Sequence, residues 1–547
     1  MGAGLAAGLG ITISAVALAA SDSSSGSGSG VVKVTGSPTP AAAPATNISR
    51  AQASRFLAQA TMGGSGLDIA DVQARGYAGW LDAQFATARG QTHWDWLVAK
   101  GYRDVQYRSG VDGFDISMWR QLIGGRDQLR QRVAMALLEL MVVGIDDIQV
   151  SWRQFAMAGY VDLLLDNAFG NFRTLMERIA TNPAMSSYLT CLGNKKANPA
   201  KGSLPDENFA RELMQLFTIG LYQLNMDGSQ KLSGGKPIET YTQTDVSQLA
   251  RVFTGLTLAT TDNTTPDRVR MPLVLNETNR ETGTSSFLGT TVPAGVDGTT
   301  ARKIALDAIF NHANVAPFVS KQLIQRLVTS NPSAAYVGRI AAVFANNGAG
   351  VRGDLKAVVR AILLDSEARN DPSATETRAG KLREPMIRIT NWARAFGAAS
   401  ASDQWAIGDT GSATTRVNQS PGRSTSVFNF FRPGYVPPNS AIATAGLVGP
   451  EFQLNNELSV VAYVNYLVNL VGNAVGDVRA DYSALTGKAS NSQALVDEVN
   501  VLLAANQISA ATVAQIKAAV DSSTDPASRI GIAVLLAMSA PEYITLK

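Results

Sequence analysis

The sequence predicts a mainly α-helical, multi-helix globular body with one loop-rich insertion that can hold a small hairpin. Three observations predict it. Apolar residues recur at helical spacing over most of residues 49–398, Thr, Asn, Gly and Pro crowd 257–300, and helical periodicity returns from Glu451 to the end. At 547 residues, 45% hydrophobic and 17% charged, the chain can bury a large core and is long enough for two or more packed units.

The opening run Gly2 to Ala20 is apolar, rich in small residues, and ends in Ala17-Leu18-Ala19, which reads as an export signal over 1–20. A Ser/Gly-rich then Pro/Ala-rich tract follows over 21–48 and reads as a flexible tether. With the leader removed, no membrane span is expected in the mature chain, which is placed in the periplasm or outside the cell.

The main helical domain is expected over 49–398. Phe56, Leu57 and Ala60 mark its first helix, and Val133, Leu137, Leu138 and Met141 mark another within "QLRQRVAMALLELMVVG". The polar insertion 257–300 interrupts this pattern, with "MPLVL" as a strand candidate. Residues 399–450 form a loop-rich aromatic segment, and 451–547 a C-terminal helical region.

Charge and composition exclude several functions. The 47 basic and 44 acidic residues give a net charge of +3 with no Lys/Arg cluster, so nucleic acid is not an expected partner. One cysteine, Cys191, and two histidines, His93 and His312, cannot make a Cys/His zinc site; any metal would need oxygen ligands. No cofactor and no metal site are expected. Gly348, Gly350 and Gly353 have G-x-G-x-x-G spacing but follow a helical segment, so they read as a helix end, a turn and a new N-cap at Asp354.

The chemistry-bearing candidates lie in "LPDENFARELMQLFTIGLYQLN". Pro205 and Asp206 sit where a helix cap belongs, and Phe209, Leu213, Leu216, Phe217, Leu221 and Leu224 form one apolar stripe. Glu207 and Glu212 then border that stripe about 140° apart, at about 100° per residue. Arg211 follows Glu207 at the i+4 ion-pair spacing. Glu212 adjoins the buried face, so it is either a structural carboxylate paired with Arg383 or Arg251, or a site carboxylate with a perturbed pKa. Asp245, in "ETYTQTDVSQLARVFTG", is expected with Thr244 at a helix N-terminus and is a candidate second acid. The segment "SVFNFFRPGYVPP" gathers Phe428, Phe430, Phe431 and Tyr435 beside Arg432, either as a stacking surface or as a loop stapled to the body.

Taken together, "LRQRVAMAL", "DNAFGNFRTLMERIATNPAMSSYLTCLGNKKANP", "PDENFARELMQLFTIGLYQLN", "YTQTDVSQLARVFTG", "VAPFVSKQLIQRLVTSNPS", "GVRGDLKAVVRAILLD", "GKLREP" and "SVFNFFRPGY" resemble the bacterial domain-of-unknown-function 1800 family over most of residues 50–455. The resemblance implies an exported protein whose gene neighbours that of an exported sulfatase-like protein. It implies no established reaction. Its charged motif corresponds here to Asp206, Glu207, Asn208, Arg211 and Glu212, with Arg383 and Glu384 in "LREP". Many members carry histidines where this chain reads "LLEL" and "NETNRETG", and this chain has none there.

Two functions are therefore expected. The first is binding or cleaving an envelope or environmental polysaccharide, with Glu212, Glu207, Asp245 and Glu384 as candidate acids and bases, and with Asn208, Arg211, Arg383, Phe431 and Arg432 as binding residues. The second is a non-catalytic assembly partner of the sulfatase-like protein.

Overall fold

The computed structural model describes residues 47–371, 376–472 and 474–547. The expected leader and nearly all of the tether lie outside them. Among the described residues the chain is mainly α, with helices from Arg50–Ala60 to Pro541–Ile544 and strands of two or three residues in antiparallel pairs.

Local chemistry explains most helix starts. Ser49 caps the first helix and completes a capping box with Gln52. Asp354 caps the helix Leu355–Leu364 after the turn that Gly348, Gly350 and Gly353 make at positive φ, as the glycine spacing predicts.

The insertion does contain a small hairpin, Ser285–Phe287 with Thr290–Val292. "MPLVL" contributes Val274–Leu275, paired with Leu256–Thr257. A second hairpin, Leu232–Ser233 with Lys236–Pro237, turns on Gly234 and Gly235, both at positive φ as a two-residue primed turn requires.

The described residues from 47 onward form one compact unit. The C-terminal helices do not build a separate core. Helix Ser492–Ala504 packs on the first helix, Arg50 pairs with Glu498 at 2.5 Å, and the last strand, Thr545–Leu546, pairs with Lys381–Leu382. No helix of the described residues is long and apolar enough to cross a membrane.

Candidate functional site

The acidic motif does not form the single long helix that its stripe predicts. An α-helix covers only Asn208–Glu212, a π-helix follows over Leu213–Thr218, and the chain leaves helical geometry at Gly220, φ 71°. Leu221 is 49% exposed instead of joining the stripe. Short π-helical turns inside helices are uncommon and recur at functional sites. The N-cap of this helix is Glu207, without a side-chain cap bond, and Asp206, expected as the cap, sits one residue earlier and accepts the Asn208 backbone N–H at 2.9 Å. It also accepts the hydroxyl of Thr190, a β-branched residue held at φ 55°.

Glu207 and Arg211 meet the adjacent helix Gln243–Val252 through Gln243 and Ser247, whereas Asp245 on the same helix bonds Thr242 and Leu288 instead. Glu207 Oε2 takes hydrogen bonds from Arg211 at 3.0 Å and Gln243 at 2.7 Å, and its Oε1 takes one from Ser247 at 2.5 Å. Burial alone would raise this carboxyl, but those bonds outweigh it and hold Glu207 below the ordinary carboxylate range. The cap of Gln243–Val252 is Thr242, not Thr244 or Asp245, because Asp245 occupies the third position and closes a capping box with Thr242. Its other oxygen accepts the Leu288 N–H at 2.8 Å and ties down the insertion hairpin. Asn208 contacts Thr190 at 3.5 Å.

Glu212 has neither proposed arginine. Arg251 pairs with Glu281 at 2.8 Å, while Arg383 stacks 4.5 Å from the Tyr543 ring and donates to the Leu503 carbonyl at 3.0 Å. Glu212 is only 7% exposed, and its buried Oε2 has no hydrogen-bond partner among the described residues. Burial pushes the carboxyl above its usual range, opposed by the charge of Arg211. Its negative charge in turn raises Tyr188 and Tyr241, each at about 12 chiefly through burial.

Glu384 belongs to a different cluster, which the sequence did not signal as a unit. Lys381 lies 2.9 Å from Glu451 and 3.7 Å from Glu384, and Gln419 donates to Glu384 at 2.7 Å. Glu139 stands 3.9 Å from Arg326, and its carboxyl meets that of Glu384 in a side-chain hydrogen bond. All these ionic groups are buried. Burial and the neighbouring Glu384 push Glu139 well up, whereas Lys381 and Arg132 outweigh burial at Glu384 and hold it down. Two buried carboxyls this close titrate as a pair and not one by one. A cavity of ≈ 10 Å³, about the size of one water, adjoins Glu139, Ser424 and Asn429. It is too small for a substrate.

Phe431 is buried, and exposed Arg432 lies 4.7 Å over the Phe428 ring, so the aromatic segment is largely stapled to the body. His93 is buried against Ser117 at 3.1 Å, and burial drives its pKa down to about 3. The His312 ring accepts the Asn314 N–H at 3.1 Å. Among the described residues no group of three His, Cys, Asp or Glu side chains is placed to hold a metal ion.

The acidic motif runs instead into the wall of an open cleft of ≈ 410 Å³, between residues 220–230, helix Val315–Leu327 with its following turn, and residues 433–448. Buried Asn314 builds one wall. Its amide donates to the carbonyls of Ile219 at 2.8 Å and Tyr222 at 2.7 Å and accepts the Leu224 N–H at 2.9 Å. Gly220 permits the close approach of Phe318, whose ring would lie 2.8 Å from a Cβ at that position. Asn331 builds the other wall by exchanging two 2.9 Å hydrogen bonds with Val448.

The cleft is lined by Tyr222, Phe318, Gln230, Gln322, Gln325, Asn331, Lys321 and Arg378, among others, and by no Asp or Glu. Half-buried Lys321 has no hydrogen bond or ion pair among the described residues, and burial lowers its pKa with no carboxylate to oppose the shift. None of the nine site residues expected from the sequence lines this cleft.

No curated protein and no solved structure matches the chain. A family model described as a protein of unknown function, DUF1800, matches residues 55–545, nearly the whole chain, and the chain belongs to that family.

Proposed function

We propose that this protein is exported and binds an acidic polysaccharide of the envelope or the surroundings in the cleft between residues 220–230, Val315–Leu327 and 433–448. The supporting observation is Lys321, a half-buried ammonium without an anionic partner among the described residues, in a cleft lined by no acidic side chain. An unpaired cation desolvated in this way is costly, and a ligand carboxylate or sulfate would supply the missing charge. The exposed amide of Gln230 offers a donor and an acceptor for hydroxyl groups, while Gln322 and Gln325 are engaged by Arg326 and Ser330, and the Tyr222 and Phe318 rings offer faces for the C–H side of a pyranose. The volume falls in the usual range for ligand clefts.

Binding is proposed rather than cleavage, because Glu212, Glu207, Asp245 and Glu384 all lie outside the lining and no carboxyl group faces a ligand there. Calorimetric titration of the full-length chain with oligogalacturonate and with neutral maltodextrin tests this. The acidic oligomer binds, the neutral one binds at least tenfold more weakly, and Lys321→Met abolishes the difference while raising the melting temperature. Equal binding of both oligomers, no binding of either, or full affinity in Lys321→Met would overturn the reading.

A further inference from the structure

Helix Glu457–Gly472 has an outer face unlike that of an ordinary surface helix. Its inner side buries Ala462, Tyr463, Tyr466, Leu467 and Leu470, with the Tyr463 hydroxyl donating to the Met538 carbonyl at 3.1 Å. Its outer side exposes Leu458 (62%), Val460 (53%), Val461 (62%), Val464 (41%) and Val468 (50%). A surface helix normally turns charges outward, yet Glu457 is the only charged residue in this one. A cluster of this kind is on the order of several hundred Å², the scale at which apolar patches on soluble proteins are functional.

The spacing of the exposed residues suits one kind of occupant. Leu458, Val461, Asn465 and Val468 recur at intervals of three and four, all on the exposed side, which is the seam of a two-stranded coiled coil with one polar residue at a core position. A lone Asn in such a seam is satisfied best by the same Asn on an in-register partner. The face carries no charge beyond Glu457, so one copy meets another without like-charge repulsion along the seam. It also has no Lys or Arg of the kind that attracts a helix to an anionic membrane. We propose that two copies of this chain pair in parallel through Glu457–Gly472, with Asn465 opposite Asn465 across a two-fold axis. One helix face is small against a standard interface, so the dimer is weak and concentration-dependent.

The consequence rests on the glycan reading above. A dimer carries two clefts, and a repeating polymer that engages both gains avidity without any new contact. The pairing itself is tested without a glycan. Sedimentation velocity of the full-length chain shows a monomer–dimer equilibrium across the micromolar range, and V461K/V468K is monomeric throughout with an unchanged melting temperature, since both side chains are exposed. Under mild oxidation N465C forms a disulfide-linked dimer and V460C does not; the native Cys191 is buried and leaves the readout clean. A monomer at every concentration, a dimer indifferent to V461K/V468K, or cross-linking of N465C only to a different envelope protein would each refute the pairing. Failure of the dimer with retained oligogalacturonate binding would leave the cleft assignment standing, and the reverse result would leave the dimer standing.

Discussion

Replacing Glu212 by Gln removes a charge that the folded chain holds at a cost. Among the described residues its buried Oε2 has no hydrogen-bond partner, Arg251 and Arg383 are engaged elsewhere, and burial raises its pKa from the ordinary 4.5. The folded chain therefore binds this proton more tightly than the unfolded chain does. Its contribution to stability is complete below pH 4.5 and is lost as the pH rises through the folded value. A buried polar group left unsatisfied costs about 1–3 kcal/mol, so Glu212→Gln gains about 1–2 kcal/mol at pH 8 and close to nothing at pH 4. With an unfolding entropy of about 2.1 cal/mol/K per residue, a unit of roughly 500 residues moves only about 1 °C for each kcal/mol. Urea unfolding at the two pH values is the more sensitive assay. A loss of about 2 kcal/mol or more at pH 8, or a gain of equal size at both pH values, would refute the assignment of Glu212 as an unpaired buried carboxyl.

Three further outcomes follow from the same structure. Lys381→Met leaves Glu451 and Glu384 buried without their cation and should cost about 3–5 kcal/mol in urea unfolding. Asp245→Ala opens the capping box and frees the Leu288 N–H; the expected loss is about 1–2 kcal/mol, with faster amide exchange in the hairpin 285–292. At Gly353, φ is 75° and an added Cβ would lie 2.8 Å from the Phe310 ring, so Gly353→Ala should lower stability by about 1–3 kcal/mol in thermal unfolding.

Much of the secondary structure was legible because its causes are local. Ser49 and Asp354 cap the helices they precede, and the glycines at 348, 350 and 353 break one helix and allow the next. Two readings went astray by a few residues for equally local reasons. Thr242 displaced Thr244 as a cap because a capping box needs its acid three residues on, and the stripe through Leu224 stopped at Gly220, where the backbone turns left-handed toward Phe318. The candidate acids were visible as residue types, but their environments were not. Glu207 and Glu212 lie five residues apart, and one is held ionised by three side-chain hydrogen bonds while the other is buried with none from the described residues.

By itself the sequence determined a mainly helical chain of the DUF1800 family, its polar insertion, most helix ends and the Glu207–Arg211 ion pair, all set by neighbours within a few residues. Tertiary structure alone decided the rest. The Lys321 cleft joins segments about a hundred residues apart in the chain, the Glu139–Glu384–Lys381–Glu451 cluster joins three regions, and helix Glu457–Gly472 is apolar on every side until packing fixes which side faces out. Periodicity shows that a face is apolar, but burial, charge pairing and enclosure depend on what that face meets.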